Sequence, residues 1–280
     1  MNLMSHASLK AKLRCVGLTD TGKVREHNED MIAHDSEIGL LVLADGMGGY
    51  NAGEVASGLA VKIILAMVRD AIEREDLSIG DRQAGLSRAG IILRDAVARA
   101  NKIIHQTARS QPNCEGMGTT VVACLFHNNK VTLAHVGDSR AYRLRGRQLK
   151  QITSDHSLLQ ELVDRGFYSP EEALRAKNKN YVTRALGVDA EVEVELQEQA
   201  VERGDIWLLC SDGLNDMVQD DDIHITLGNC GTDLNAVSSQ LVKKANDNGG
   251  KDNISVVMAE VVDSFPARSG IISQILQRFS

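Results

Sequence analysis

Five short acidic strings are spread along the 280-residue chain: Asn28-Glu29-Asp30, Asp45-Gly46, Gly137-Asp138-Ser139, Ser211-Asp212-Gly213 and Asp252-Asn253. Carboxylate and carbonyl oxygens of this kind suit hard divalent cations. A carboxylate at the end of a strand can point into a shared cleft. Several from distant strands, converging, would make a cation site. Each string alone reads as a bland feature. Asp45-Gly46, Gly137-Asp138 and Asp212-Gly213 would each pass for a turn. Arg25 to Asp30 would pass for a solvated charge cluster, yet it sets a guanidinium near two adjacent carboxylates. On a strand Glu29 and Asp30 would face opposite ways, so both reach one site only where a strand ends. Arg25 could grip a phosphoryl group with two parallel N–H donors, which Lys does less well.

Four of the five strings border apolar runs. Asp45 follows Leu40 to Ala44, Asp138 follows Val131 to Val136, Asp212 follows Ile206 to Cys210, and Asp252 precedes Ile254 to Met258. Such runs are expected to be buried strands. Residues 12–19 and 31–44 also read as strands. Spacing of Val55, Leu59, Ile63, Met67 and Ala71 predicts a helix over 51–74. A second helix is expected within 83–109, and a third around Leu234, Val237, Leu241, Val242 and Ala245. Between Thr119 and Ile152 the strand-like runs suggest an antiparallel meander. Residues 192–201 fit a half-exposed strand, and Ile254 to Val262 the last core strand. Ser169, Pro170 and Glu172 resemble the capped start of a short helix.

Helices in blocks among antiparallel strands point to an α+β fold. One domain over residues 10–262 is expected, with a separate tail, 263–280. In that tail Ile271, Ile272, Ile275, Leu276 and Phe279 share one helical face, which would dock on the domain, on a partner or on a membrane surface.

The net charge of -7 argues against non-specific nucleic-acid binding. The five cysteines are odd in number and lack metal-finger spacing, which favours a reducing, cytoplasmic setting. No secretory signal is visible within residues 1–14, and no run approaches a membrane span.

Three further strings accompany the acidic ones: Gly116-Met117-Gly118-Thr119-Thr120, Val136 to Arg140, and Thr153-Ser154-Asp155-His156-Ser157. Taken in order from about Val16 to Val262, the chain resembles the metal-dependent serine/threonine protein phosphatases of the type 2C family, in their compact bacterial form. The resemblance implies a four-layer α-β-β-α sandwich of two mainly antiparallel sheets flanked by helices. It also implies Mn²⁺ or Mg²⁺ as cofactor, two ions with a third in many bacterial members. Asp45 would bridge two ions. The Gly46 carbonyl would bind one, and Asp212 and Asp252 the other. Glu29 and Asp30 would mostly hold waters around the ions. Asp138 with Asp212 matches a third-ion site, and Arg25 matches the phosphate-binding arginine. The implied substrates are phosphorylated proteins, and the implied partner is a bacterial Ser/Thr kinase whose work is reversed.

Two features depart from or extend that pattern. Animal members carry a His two residues after the bridging Asp, where this chain has Met47, which donates no proton. His27 is a weaker candidate acid, and Tyr50 and Asn51 have no assigned role. Residues 166–181 match a mobile flap, here polar with Arg175, Lys177 and Lys179. Rival readings are a silent phosphoprotein-binding module, a structural metal protein and a two-metal nuclease.

Overall fold

The computed structural model describes residues 8–49, 52–74, 77, 85–169, 172, 181–229 and 233–266. Its central strands are apolar on both faces because both faces are covered. One sheet has the order β1 (Leu13–Asp20), β11 (Ile254–Val261), β10 (Ile206–Cys210), β7 (Arg140–Arg145), β8 (Gln148–Gln151). The other has the order β2 (Asp30–Asp35), β3 (Leu40–Met47), β5 (Val121–His127), β6 (Lys130–Val136), β9 (Glu195–Ala200), with the short β4 (Gly118–Thr119) paired to the end of β3. Every pairing is antiparallel.

Three apolar layers hold the sheets between helices. On β3, Leu40, Val42 and Ala44 join the core under α1 (Ala52–Arg74) and α2 (Arg88–Ser110), while Leu41 and Leu43 join the core between the sheets. On β10, Trp207 and Leu209 enter the inter-sheet core. Ile206, Leu208 and Cys210 pack instead with Leu234, Val237 and Leu241 of α6 (Leu234–Asp247). The period-2 alternation is therefore present but hidden, because both of its phases are apolar. Phe126 and Trp207 meet edge-on in the middle layer, ring centroids 6.2 Å apart. The result is the α-β-β-α sandwich expected.

Shorter elements were not legible in advance. They are α3 (Leu158–Asp164), α4 (Asp212–Asn215), α5 (Asp220–Asn229) and a 3-10 turn at Pro112–Cys114. The expected meander over 119–152 needs correction. Its strands form two hairpins, β5–β6 in one sheet and β7–β8 in the other. The chain changes sheets at Gly137-Asp138-Ser139, the point where an acidic string stands.

The expected short helix after Ser169 falls mostly outside the described residues. Its capping box is present: Glu172 N–H donates to Ser169 Oγ at 3.2 Å, and Ser169 N–H donates to Glu172 at 2.8 Å. Tyr50, Asn51, most of the flap and the amphipathic part of the tail also lie outside the described residues. The start of the tail does not leave the domain at 262. Phe265 is buried in the inter-sheet core with Leu9, and its N–H donates to Asn129 at 2.6 Å. No helix of the described residues is long and apolar enough to cross a membrane.

Candidate metal centre

The acidic strings converge at one end of the sandwich because each terminates or interrupts a strand there. Register across β2–β3 sets Asp30 opposite Asp45. β3 continues past Asp45 to Met47, held by Gly46–Thr119 and Met47–Gly118 pairing. Gly46 is a close-approach position. A Cβ there would stand 2.2 Å from the Gly53 carbonyl oxygen and 2.6 Å from that of Glu29. The missing side chain lets the first turn of α1 begin against the rim of the site.

Arg25, Glu29, Asp45, Gly46, Asp138, Asp212 and Asp252 all line one cavity of about 490 Å³. Every residue expected at the site is thus on its wall except Asp30, which lies buried beneath. β2 begins at Asp30, so Glu29 is still outside the strand and free to face the cavity. At this strand end Glu29 and Asp30 can serve one site although they are adjacent in sequence.

Hydrogen bonds brace the acidic groups from behind. Ser255 N–H donates to Ser211 Oγ at 3.0 Å, and Ser211 Oγ–H donates to Asp30 Oδ2 at 2.8 Å. Asp30 Oδ1 is buried with no hydrogen-bond partner. Asn253 accepts from Glu29 N–H at 2.7 Å and donates to the carbonyls of Thr21 and His27. It thereby ties the loop before β2 to the start of β11. Thr120 Oγ1 accepts from Asp45 N–H at 3.0 Å. Arg25 Nη2 donates to Asp252 Oδ2 at 2.7 Å, with the Arg25 side chain 55% exposed. Its charge is available to both Asp252 and the cavity.

The electrostatics are those of a site built for cations. Burial, then the charges of Asp30, Asp212, Asp138 and Asp252, push the Asp45 carboxyl well above the carboxylate range. Burial and then Asp138, Asp252, Asp216 and Asp30 do the same to Asp212. Burial raises Asp30 and Asp138 to about 6. Four or more carboxyls clustered at one largely buried place cannot all ionise readily unless positive charge joins them. The unpartnered Asp30 oxygen and the oxygen-only donor set both fit Mg²⁺ or Mn²⁺, and neither fits a soft metal.

Asn253, Ser211, Thr120 and the pair Arg140–Asp155 had no role assigned from sequence alone. All four lie inside or beside the strings already singled out, which was their only signal. Arg140 Nε and Nη2 grip Asp155 at 2.9 and 2.7 Å, and Ala141 N–H donates to Thr153 Oγ1 at 3.1 Å. The two strings that surround them are staples for the turn that carries Asp138.

An all-antiparallel double sheet between helix layers, with converging carboxylates and an arginine at its end, has the parts of a metal-dependent hydrolase of phosphate esters. The comparisons with known proteins agree. The family model "Protein phosphatase 2C" matches residues 22–254. The "Serine/threonine phosphatase stp" of Listeria monocytogenes is 37% identical over 248 residues, covering 86% of this chain and 93% of that protein. The crystal structure of the Mycobacterium tuberculosis serine/threonine phosphatase PstP/Ppp superposes with a TM-score of 0.80 at 38% identity, covering 90% of this chain and all of that one. A structure of the PstP catalytic domain in complex with two manganese ions gives a TM-score of 0.78 at 40% identity, covering 90% and 99%. The chain belongs to the protein phosphatase 2C family.

Proposed function

We propose that this protein hydrolyses phosphoserine and phosphothreonine on other proteins, with two divalent ions, Mn²⁺ or Mg²⁺, at the acidic cavity. The observation that carries the reading is the convergence of Asp45, Gly46, Asp138, Asp212 and Asp252 with Arg25 on one wall-lined space. Asp45 is the residue suited to bridge the ions, the Gly46 carbonyl to bind one, and Asp212 and Asp252 to bind the other. Asp138 with Asp212 offers a third position. Two manganese ions in the PstP catalytic domain, 40% identical, support a two-ion site. When bound, such ions lower the pKa of a water and polarise phosphoryl oxygens.

The chain's own residues do the rest. The Arg25 guanidinium offsets charge on the phosphoryl oxygens as the ester bond breaks. Glu29 stands at the first turn of α1 and, with Asp30 beneath, orders the solvent face of the site. Asn253 keeps Glu29 and Asp252 in fixed relation through its bond to Glu29 N–H. One water is consumed; its oxygen bonds phosphorus, the serine or threonine oxygen leaves, and inorganic phosphate and a free hydroxyl result. Met47 lines the cavity but offers no proton to the leaving oxygen, and His27, also on the wall, supplies the one imidazole among the described lining residues.

The phosphorylated substrates would come from a cytoplasmic Ser/Thr kinase, and the acidic cavity disfavours nucleic acid. The phosphatase unit would run at least from Leu9 to Phe265, both in the inter-sheet core, with the residues beyond as its tail.

Turnover of p-nitrophenyl phosphate and of phosphoserine, phosphothreonine and phosphotyrosine peptides with Mn²⁺ tests the reading. Hydrolysis of the ester and of the first two peptides is expected. Peptide binding without any hydrolysis would favour a silent binding module instead.

A further inference from the structure

Three side chains outside the acidic cluster meet where β6 ends. The donor atoms of His135, His156 and Glu195 all lie within 4.8 Å of one another. His135 and Glu195 are cross-strand partners on β6 and β9. His156 comes from the loop between β8 and α3. The His135 and His156 rings pack with centroids 4.6 Å apart, tilted by 35°. His135 is fully buried, and neither of its ring nitrogens has a hydrogen-bond partner.

Two His and one Glu are transition-metal ligands in kind. The hydrogen-bond pattern argues against a metal here. Gly137 N–H donates to His156 Nδ1 at 3.1 Å. That nitrogen must carry the lone pair, so the proton of the neutral ring sits on Nε2, an assignment made from the network. Nε2–H then donates to Glu195 Oε2 at 3.1 Å. A metal on Nε2 would move the proton to Nδ1, directly against the Gly137 N–H. In a ligating histidine the second nitrogen donates to an acceptor; here it faces a donor.

The same geometry has another use. His156 also donates its own backbone N–H to the Gly137 carbonyl at 2.8 Å. Both backbone polar groups of Gly137 are therefore held by one residue. Gly137 has φ +113 and directly precedes Asp138. Beyond Asp138, Ser139 Oγ pairs with Thr120 Oγ1 at 2.8 Å, and Thr120 Oγ1 accepts from Asp45 N–H. Glu195 is itself fixed, since Gln197 donates to its Oε1 at 2.7 Å. Burial works against the Glu195 charge, but hydrogen bonds from Gln197 and His156 hold its carboxyl below the usual range. His135 closes the stack, kept neutral by burial at about 3. A continuous chain thus runs from Glu195 through His156 and the Gly137-Asp138-Ser139 turn to Asp45.

We propose that His156, locked by Glu195 in the Nε2–H tautomer, is a positioning residue that orients Asp138 toward a divalent ion. The proposal rests on reading Asp138 as a metal ligand. It differs from a packing role in depending on one acceptor atom, Nδ1.

His156→Asn and His156→Leu separate the two. Asn keeps an acceptor oxygen close to where Nδ1 stands, whereas Leu keeps bulk without one. In the metal-free wild type, ¹⁵N NMR is expected to show His156 unprotonated at Nδ1 and protonated at Nε2, with slow exchange of the Gly137 amide. The Leu variant is expected to lose that protection and to weaken its weakest Mn²⁺ step by about 10–100-fold in calorimetry, as outer-shell losses do. The Asn variant is expected to retain both within about threefold, a difference of about 0.7 kcal/mol at most. A proton on Nδ1 in the wild type would overturn the proposal. So would a Leu variant with wild-type Gly137 protection and a wild-type isotherm. So would Zn²⁺ that removes the Nε2 proton and shifts both histidines together, which would assign the cluster to a metal. If the wild type binds no Mn²⁺, the metal reading of Asp138 fails, and the tautomer and exchange results alone decide the positioning role.

Discussion

Arg25 is half in solvent and bonded to Asp252, a position that lets it meet an incoming phosphoryl group without leaving the cluster. Its value lies in a planar two-donor head. Arg25→Lys is therefore expected to lower kcat/KM on p-nitrophenyl phosphate by about 10–100-fold, the scale of one charge-assisted hydrogen bond. Unchanged kinetics would remove Arg25 from the reaction. A second residue governs acid behaviour away from the site. Burial, against an opposing pull from Glu198, lowers His127 to about 4. The folded chain then binds fewer protons than the unfolded one between about 4 and the unfolded value of 6.5. Stability contributed by neutral His127 is present above 6.5 and lost as pH falls toward 4. His127→Gln, which can still reach Thr132, is expected to flatten urea-melt stability across that window relative to wild type. Equal slopes for both proteins would contradict the assignment.

At the scale of elements, most strand runs were legible and their sheet membership was not; the run 31–44 is in fact the hairpin of β2 and β3, with residues 36–39 as its turn. Val131 to Val136 read as a strand, and the strand-like runs between Thr119 and Ile152 suggested one meander of paired neighbours. The turn after Val136 decides otherwise. Gly137 has φ +113, and a Cβ there would stand 2.6 Å from Thr120 Cβ and Cγ2. Only glycine lets the chain cross between sheets while leaving Asp138 on the cavity. Gly137→Ala is expected to destabilise the fold by about 1 kcal/mol or more in urea melts and to weaken Mn²⁺ binding. Wild-type values for both would show the crossing to be tolerant.

The short helices α3 and α4 were hidden for a different reason. Four to seven residues give too little periodicity to see, and Asp212-Gly213 carries a turn signature although it opens a helical turn. The carboxylates that line the cavity were legible because acidic residues at strand ends have no bland explanation when five such strings stand in one order. Their supports, Asn253, Ser211 and His156, were not, because a hydrogen-bonding side chain reveals its partner only in three dimensions.

Across the whole molecule, the sandwich gathers like charges at one end and leaves them to be neutralised from outside. Folding is then linked to metal. A saturating ligand that binds only the folded chain adds about 2.7 kcal/mol at 100 times its Kd. The sign of the pH effect follows from Asp30 and Asp138, raised by burial to about 6. Without metal, the folded chain binds more protons than the unfolded one above the ordinary value of 3.8. That stability is present below 3.8 and lost as pH rises through about 6. Mn²⁺ replaces those protons. The gap in Tm between Mn²⁺-loaded and EDTA-treated protein is therefore expected to widen from pH 5 to pH 7. A gap of zero, or one that narrows, would separate folding from metal.

The bridging role proposed for Asp45 is the point on which a shared metal centre stands or falls. Asp45 stands opposite Asp30 on paired strands, and the charges of Asp30, Asp212, Asp138 and Asp252 all bear on its carboxyl. Calorimetric Mn²⁺ titration of wild type and Asp45→Asn measures it. The expected result is tight binding at the two proposed positions in the wild type and loss at both together in the variant. An Asp45→Asn isotherm that overlays the wild type, or one that loses a single ion and keeps the other intact, would contradict a shared centre.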